Sequence, residues 1–190
     1  LSYDPASCQV ASLVVIVKAH AEHPPEVRAR GVAIIISSVL RNHPRAINPL
    51  IKSNNLLNNA LAMQEALRRG ASEALMRNHR GEIAECAQSN FFIVRNGAAF
   101  TPPLESGLLE GVTRNFVFEV GNEVGISVRE AVLSDADLDA ADEMFLTSTT
   151  REVLPITRID GREVGSGRPG QITLALGDAF RRKADALTRM

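Results

Sequence analysis

Cysteine is scarce. Cys8 and Cys86 are the two present in 190 residues, with neither metal-site spacing nor the numbers for a disulfide framework. That usage fits a reducing compartment, so a cytoplasmic protein is expected. Histidine is as sparse: the four residues form no HExxH-like cluster, and no metal site is expected. Neither sign of charge is in excess. The 21 basic and 22 acidic side chains leave a net charge of −1, so there is no electrostatic case for nucleic acid or an anionic membrane. Long hydrophobic runs are missing as well. The longest, at 13–17 and 32–36, are far too short to span a bilayer. The chain begins with Leu1 and soon enters a strand-like run, so an N-terminal portion of a longer protein is expected to be absent.

What is present suits a globular α/β fold. Apolar residues make up 45% and charged residues 23% of the chain, ordinary for one sizeable domain. The β-branched runs at 13–17 and 32–38 read as strands buried on both faces. Residues 24–30 offer a short helical turn ended by Gly31. From Asn55 to Arg69 the pattern is helical, with Leu56, Leu57, Ala60, Leu61, Gln64, Ala66 and Leu67 as its apolar face. Asn54 or Asn55 would cap it, and Arg68-Arg69-Gly70 stops it. Short strands follow at 73–77, 82–85, 91–94 and 98–101, with Asn96-Gly97 suited to a hairpin turn. A helix is expected from Val112, a strand at 126–128, and a helix capped by Ser134. A strand at 143–147 is expected to continue through 153–159. An amphipathic helix from 170 to 189 closes the chain. The reading is one domain over 1–190, with mixed strands and short hairpins rather than regular βαβ alternation.

Four stretches could carry chemistry. Lys52 sits between an apolar, proline-marked approach (48–51) and the asparagine-rich opening of a helix. An amine desolvated by apolar neighbours becomes a usable nucleophile; taken alone, the segment reads more readily as a hydrated surface lysine. Glu85 precedes small and polar residues ahead of a buried strand. There it could hold a positive charge on a ligand, or simply be a solvated hairpin carboxylate. Residues 107–114 form a glycine-flanked loop feeding a helix N-terminus, where free N–H groups and the Thr113 hydroxyl would receive an anion. The bland alternative is a plain loop. Residues 147–150 put four hydroxyls in a row at a strand end, although threonine is also just a good strand residue. A lysine, a carboxylate and two anion cradles together suit a phosphorylated cofactor with an aldehyde and a basic ring nitrogen. Pyridoxal 5'-phosphate has these groups.

Ile-Lys-Ser-x-Asn-x-Leu (51–57), Glu-x-x-x-Ser-Asn-x-Phe (85–92), Leu-Leu-x-Gly-Val-Thr-Arg (108–114) and Thr-Ser-Thr-Thr-x-Glu-Val (147–153), in that order, resemble the fold-type IV, or class IV, pyridoxal-phosphate aminotransferases. That family includes branched-chain and D-amino-acid aminotransferases and aminodeoxychorismate lyase. The resemblance implies a mixed-sheet, barrel-like large domain with helices packed around it. It implies Lys52 as the Schiff-base lysine, Glu85 as partner of the pyridine nitrogen, and Leu109 packed on the ring. Val112, Thr113, Ser148 and Thr149 would hold the phosphate. The backbone at Thr149 and Thr150 would hold the substrate carboxylate. Arg45 falls where D-amino-acid aminotransferases carry a carboxylate-binding arginine, though a loop arginine reads equally well there. Leu56 stands where branched-chain enzymes usually have tyrosine, which is closer to the D-amino-acid branch. By the same resemblance, the family's smaller N-terminal domain is expected to lie outside these residues. The resemblance therefore implies transfer of an amino group between an amino acid and a 2-oxo acid, usually by a homodimer. The alternatives are a lyase releasing pyruvate or a scaffold without catalysis.

Overall fold

The computed structural model describes residues 3–10, 12–19 and 24–189. A short helix, α1 (Pro25–Arg30), stops at Gly31 and leads into β1 (Val32–Ile36). After a long irregular loop come α2 (Leu57–Arg68), β2 (Glu73–Arg77), β3 (Ile83–Cys86), β4 (Asn90–Arg95) and β5 (Ala98–Thr101). Then follow α3 (Val112–Glu123), β6 (Val128–Glu130), α4 (Asp135–Asp139), β7 (Glu143–Ser148), β8 (Glu152–Ile159), β9 (Arg162–Glu163) and α5 (Gln171–Thr188).

Among the described residues the strands form one mixed sheet in the order β3-β2-β1-β8-β7-β4-β5-β6, with β9 paired to β8. β1 runs parallel to both neighbours, β2 and β8, while β7 is antiparallel to both of its own, β4 and β8. The sheet curls on itself. Ile83, on the β3 edge, makes an isolated bridge with Leu133, just beyond β6 at the opposite edge. This is the barrel-like arrangement expected, open along part of its seam.

Strand alternation sorts the core into layers. Phe91 and Ile93 of β4 enter the inner cluster with Ile34, Leu75, Met144 and Leu154. Phe92 and Val94 face the other way, against Val117 and Val120 of α3 and Leu176 of α5. Phe92 stacks on Phe145 with ring centroids 4.6 Å apart. The hairpin between β4 and β5 turns at Asn96 and Gly97, both at positive φ (52° and 77°), as an Asn-Gly turn should.

Several expectations are overturned. Residues 13–17 form no strand; they are irregular, and all five side chains are exposed. The described part of the chain gives them no neighbouring strand, and a β-branched run without one has nothing to bury against. Residues 153–159 do not continue β7 but return antiparallel to it as β8. The α2 N-cap is Leu56, with no side-chain cap, so neither Asn54 nor Asn55 performs that role. The buried face of α2 is also not the leucine face. Ala62 and Ala66 are buried against the sheet, with Ala74 and Met76, while Leu57, Leu61 and Leu67 are 68%, 47% and 64% exposed. Alanine lets the helix axis approach the sheet closely, and leucine would hold it away.

Candidate active site

Four segments converge on a cavity of about 730 Å³, a volume suited to a small organic ligand. The loop between β1 and α2 brings Lys52, the end of β3 brings Glu85, the loop before α3 brings Leu109, and β7 ends at Ser148. Lys52, Glu85, Leu109, Val112, Thr113, Ser148 and Thr149 all line it. Arg45 and Thr150 are not among its lining residues; both are exposed on their loops.

Glu85 is the most constrained of these groups. It pairs with Met76 across the β2–β3 ladder and is 6% exposed, not a solvated hairpin carboxylate. One carboxylate oxygen meets the Arg41 guanidinium at 2.9 Å and accepts the Leu109 N–H at 3.2 Å. The other accepts from Asn90 Nδ2 at 3.1 Å. Burial pushes its pKa up to about 7, against the opposing pull of Arg41, the Leu109 amide and Lys52, and with some help from Glu73. A buried carboxyl in such a setting is a functional-site candidate on physical grounds.

Arg41 and Asn90 hold this carboxylate in place, and neither was singled out in the sequence. Arg41 also donates to Asn59 Oδ1 at 3.2 Å and to the Gly107 carbonyl at 3.4 Å, so it ties β3 to the first turn of α2 and to the loop before α3. Asn90 also donates to the Leu109 carbonyl at 2.8 Å. Asn90 was legible as part of the 85–92 motif; nothing in the polar run at 41–45 marks which arginine is buried.

The loop before α3 leads into a helix start without a side-chain cap. Gly111 is the N-cap of α3, no side chain caps it, and the first intrahelical bond runs from Asn115 N to Gly111 O at 2.9 Å. The N–H groups of the first turn are thus directed out of the helix. A Cβ at position 111 would lie 2.0 Å from Asn90 Oδ1, so only glycine lets the loop pass the residue that holds Glu85.

Lys52 departs from expectation. It lies in irregular chain and is exposed. The desolvation by apolar neighbours that its sequence suggests is not met within this chain.

A family model described as "Amino-transferase class IV" matches residues 1–159. The chain belongs to the class IV aminotransferases. Branched-chain-amino-acid aminotransferase of Escherichia coli (strain K12) is 38% identical over 156 residues, 82% of this chain and 50% of that protein. D-alanine aminotransferase of Listeria innocua is 41% identical over 145 residues, 76% of this chain and 50% of that protein. The structure of branched-chain amino acid aminotransferase from Thermobaculum terrenum in PLP-form superposes with a TM-score of 0.80 at 36% identity, covering 85% of this chain and 53% of that one. This class IV aminotransferase chain therefore spans about half the length of the relatives it matches. Among its described residues no helix is long and apolar enough to cross a membrane, and no three or more His, Cys, Asp or Glu side chains come together as a metal site would need.

Proposed function

We propose that this chain is the large, cofactor-holding domain of a pyridoxal-phosphate-dependent transaminase acting on branched-chain or D-amino acids and 2-oxo acids. The observation that carries the reading is the shared cavity. One amine, one buried carboxylate and an uncapped helix N-terminus with two hydroxyl-bearing neighbours face the same space. The donor set fits the cofactor at each end. Thr113, Val112, Ser148 and Thr149 offer hydroxyls and amides to a phosphate dianion. Glu85 offers negative charge to a protonated ring nitrogen, and Leu109 offers an apolar surface to the ring.

When bound, pyridoxal phosphate supplies the aldehyde that carries the amino group and a ring that accepts electrons. The chain's own residues then divide the remaining work. The Lys52 amine would hold the cofactor and afterwards move the proton from the substrate's Cα to the cofactor's C4' carbon. Glu85, fixed by Arg41 and Asn90, keeps the ring nitrogen protonated. The remaining length of the full protein is proposed to complete the pocket wall and cover Lys52, in a cytoplasmic homodimer.

The test is covalent trapping. Protein incubated with pyridoxal phosphate and reduced with borohydride should carry the added mass on the peptide containing Lys52, and K52A should carry none there. Stable labelling of a different lysine, or none in the wild type, would sink the assignment. Assaying the full-length protein for 2-oxoglutarate-dependent transamination and for pyruvate release separates transfer from elimination.

A further inference from the structure

Below the cavity lies a second ion pair that the proposed reaction does not use. Glu73 opens β2 and is fully buried. Its carboxylate accepts from Arg151, from the Ser89 hydroxyl at 3.3 Å and from the Ala74 N–H at 3.1 Å. Arg151 belongs to the turn between β7 and β8, directly after the hydroxyl-bearing residues 147–150. Its guanidinium also donates to Ser89 Oγ and to Gln88 Oε1, each at 3.2 Å. Its backbone N–H closes the turn onto the Ser148 hydroxyl at 3.2 Å. Gln88 and Ser89 line the cavity on the stretch between Glu85 and Asn90, and Ser148 and Thr149 line it from the turn. One side chain thus ties the cavity's acid-bearing wall to its hydroxyl-bearing wall.

Resting on the pyridoxal-phosphate reading, we propose that Arg151 is a positioning residue: its fork on Glu73, Ser89 and Gln88 sets where the turn at 148–150 presents its hydroxyls and amides to the cofactor's phosphate. A buried carboxylate needs a partner, which any cation in reach could provide. Reaching three acceptors on two segments at once needs the planar guanidinium, because a lysine ammonium is a point charge. The β7–β8 ladder holds the turn only at its base, where Ser148 pairs with Glu152. Thr149 and Thr150 are exposed, and a short exposed connection binds an anion well only if it is ordered beforehand.

The experiment uses the full-length protein and the charge-balanced double variant E73Q/R151M, which leaves no buried carboxylate without its partner. Affinities for pyridoxal 5'-phosphate and for pyridoxal are measured by absorbance titration. The double variant is expected to lose about ten-fold or more in affinity for the phosphorylated form and less than about two-fold for pyridoxal. In ligand-free protein, hydrogen exchange at amides 148–151 should quicken about five-fold or more, with β4 amides unchanged. R151K, which keeps the charge on Glu73 but not the fork, is the second variant should the double variant fail to fold. It should show the same selective loss. Wild-type phosphate selectivity together with wild-type exchange, in whichever variant folds, overturns the proposal. A wild-type protein that shows no preference for the phosphorylated form overturns the cofactor reading itself. The exchange result would then still report whether Arg151 orders the turn.

Discussion

Glu85 is where the chain departs furthest from the default behaviour of its residue type. Its pKa, raised to about 7 by burial, means that the folded chain keeps a proton that the unfolded chain has released. As pH rises from about 4.5 to about 7, the unfolded state therefore gains on the folded one, and stability falls. The shift amounts to about 3 kcal/mol over that window. The fall is complete above pH 7, where both states are ionised. Arg41 and Lys52 oppose the shift and Glu73 adds to it, so the sign rests on burial. Chemical unfolding of ligand-free protein at pH 5, 6, 7 and 8 should show this decline. E85Q should remove it and be the more stable protein at pH 8. Parallel pH curves for the two proteins would show that burial does not govern this group. The same logic gives ligand binding an opposite slope: a cationic ring nitrogen should bind more tightly as Glu85 ionises.

At the scale of elements, α5 shows how a distant side chain can start a helix. Its N-cap is Gly170, which has no side chain to offer. Glu143, at the beginning of β7, fills in by accepting from Ile172 N at 3.0 Å and Thr173 N at 2.8 Å. A Cβ on residue 170 would fall 1.9 Å from the Glu143 carboxyl carbon. E143A and G170A should therefore each destabilise the chain by about 1–2 kcal/mol, the usual worth of a cap. Because both act through one contact, the double variant should lose little more than either single one. Additive losses in urea unfolding would argue against a shared cause. This cap was not legible in the sequence, since Gly170 and Glu143 are far apart along the chain. Elements whose causes are local were legible. The β4–β5 hairpin follows from alternating apolar residues around Asn-Gly, and α4 from its capping box at Ser134. The 13–17 run, exposed in the fold, shows the limit of local patterns: hydrophobicity marks what could be buried but not whether a neighbour is there to bury it. Within the cavity, Lys52, Glu85 and Thr113 were legible because each sits in a motif. Arg41 and Arg151 were not, because an arginine becomes special only through the acid it meets across the fold.

At the scale of the whole molecule, several large apolar side chains stay exposed. α2 attaches to the sheet through Ala62 and Ala66, which leaves Leu57, Leu61 and Leu67 on its outer face. Ile51 and Leu56 beside the cavity, and Val112 on its rim, are exposed too. Single exposed apolar residues are commonplace, but three leucines on one short helix make a larger apolar surface in water. None of these leucines supports the core of this chain, so replacing them should leave folding almost untouched, within about 0.5 kcal/mol each. The 190-residue chain should therefore bind a hydrophobic dye such as ANS while still folded. L57K/L61K/L67K should lower that fluorescence by about half or more at an unchanged melting temperature. If the triple variant melted well below the wild type, the leucine side of α2 would have to be part of the core, and the packing described for this helix would be wrong. If dye binding persisted at an unchanged melting temperature, the exposed surface would lie elsewhere, and the irregular segment at 13–17 would be the next to substitute.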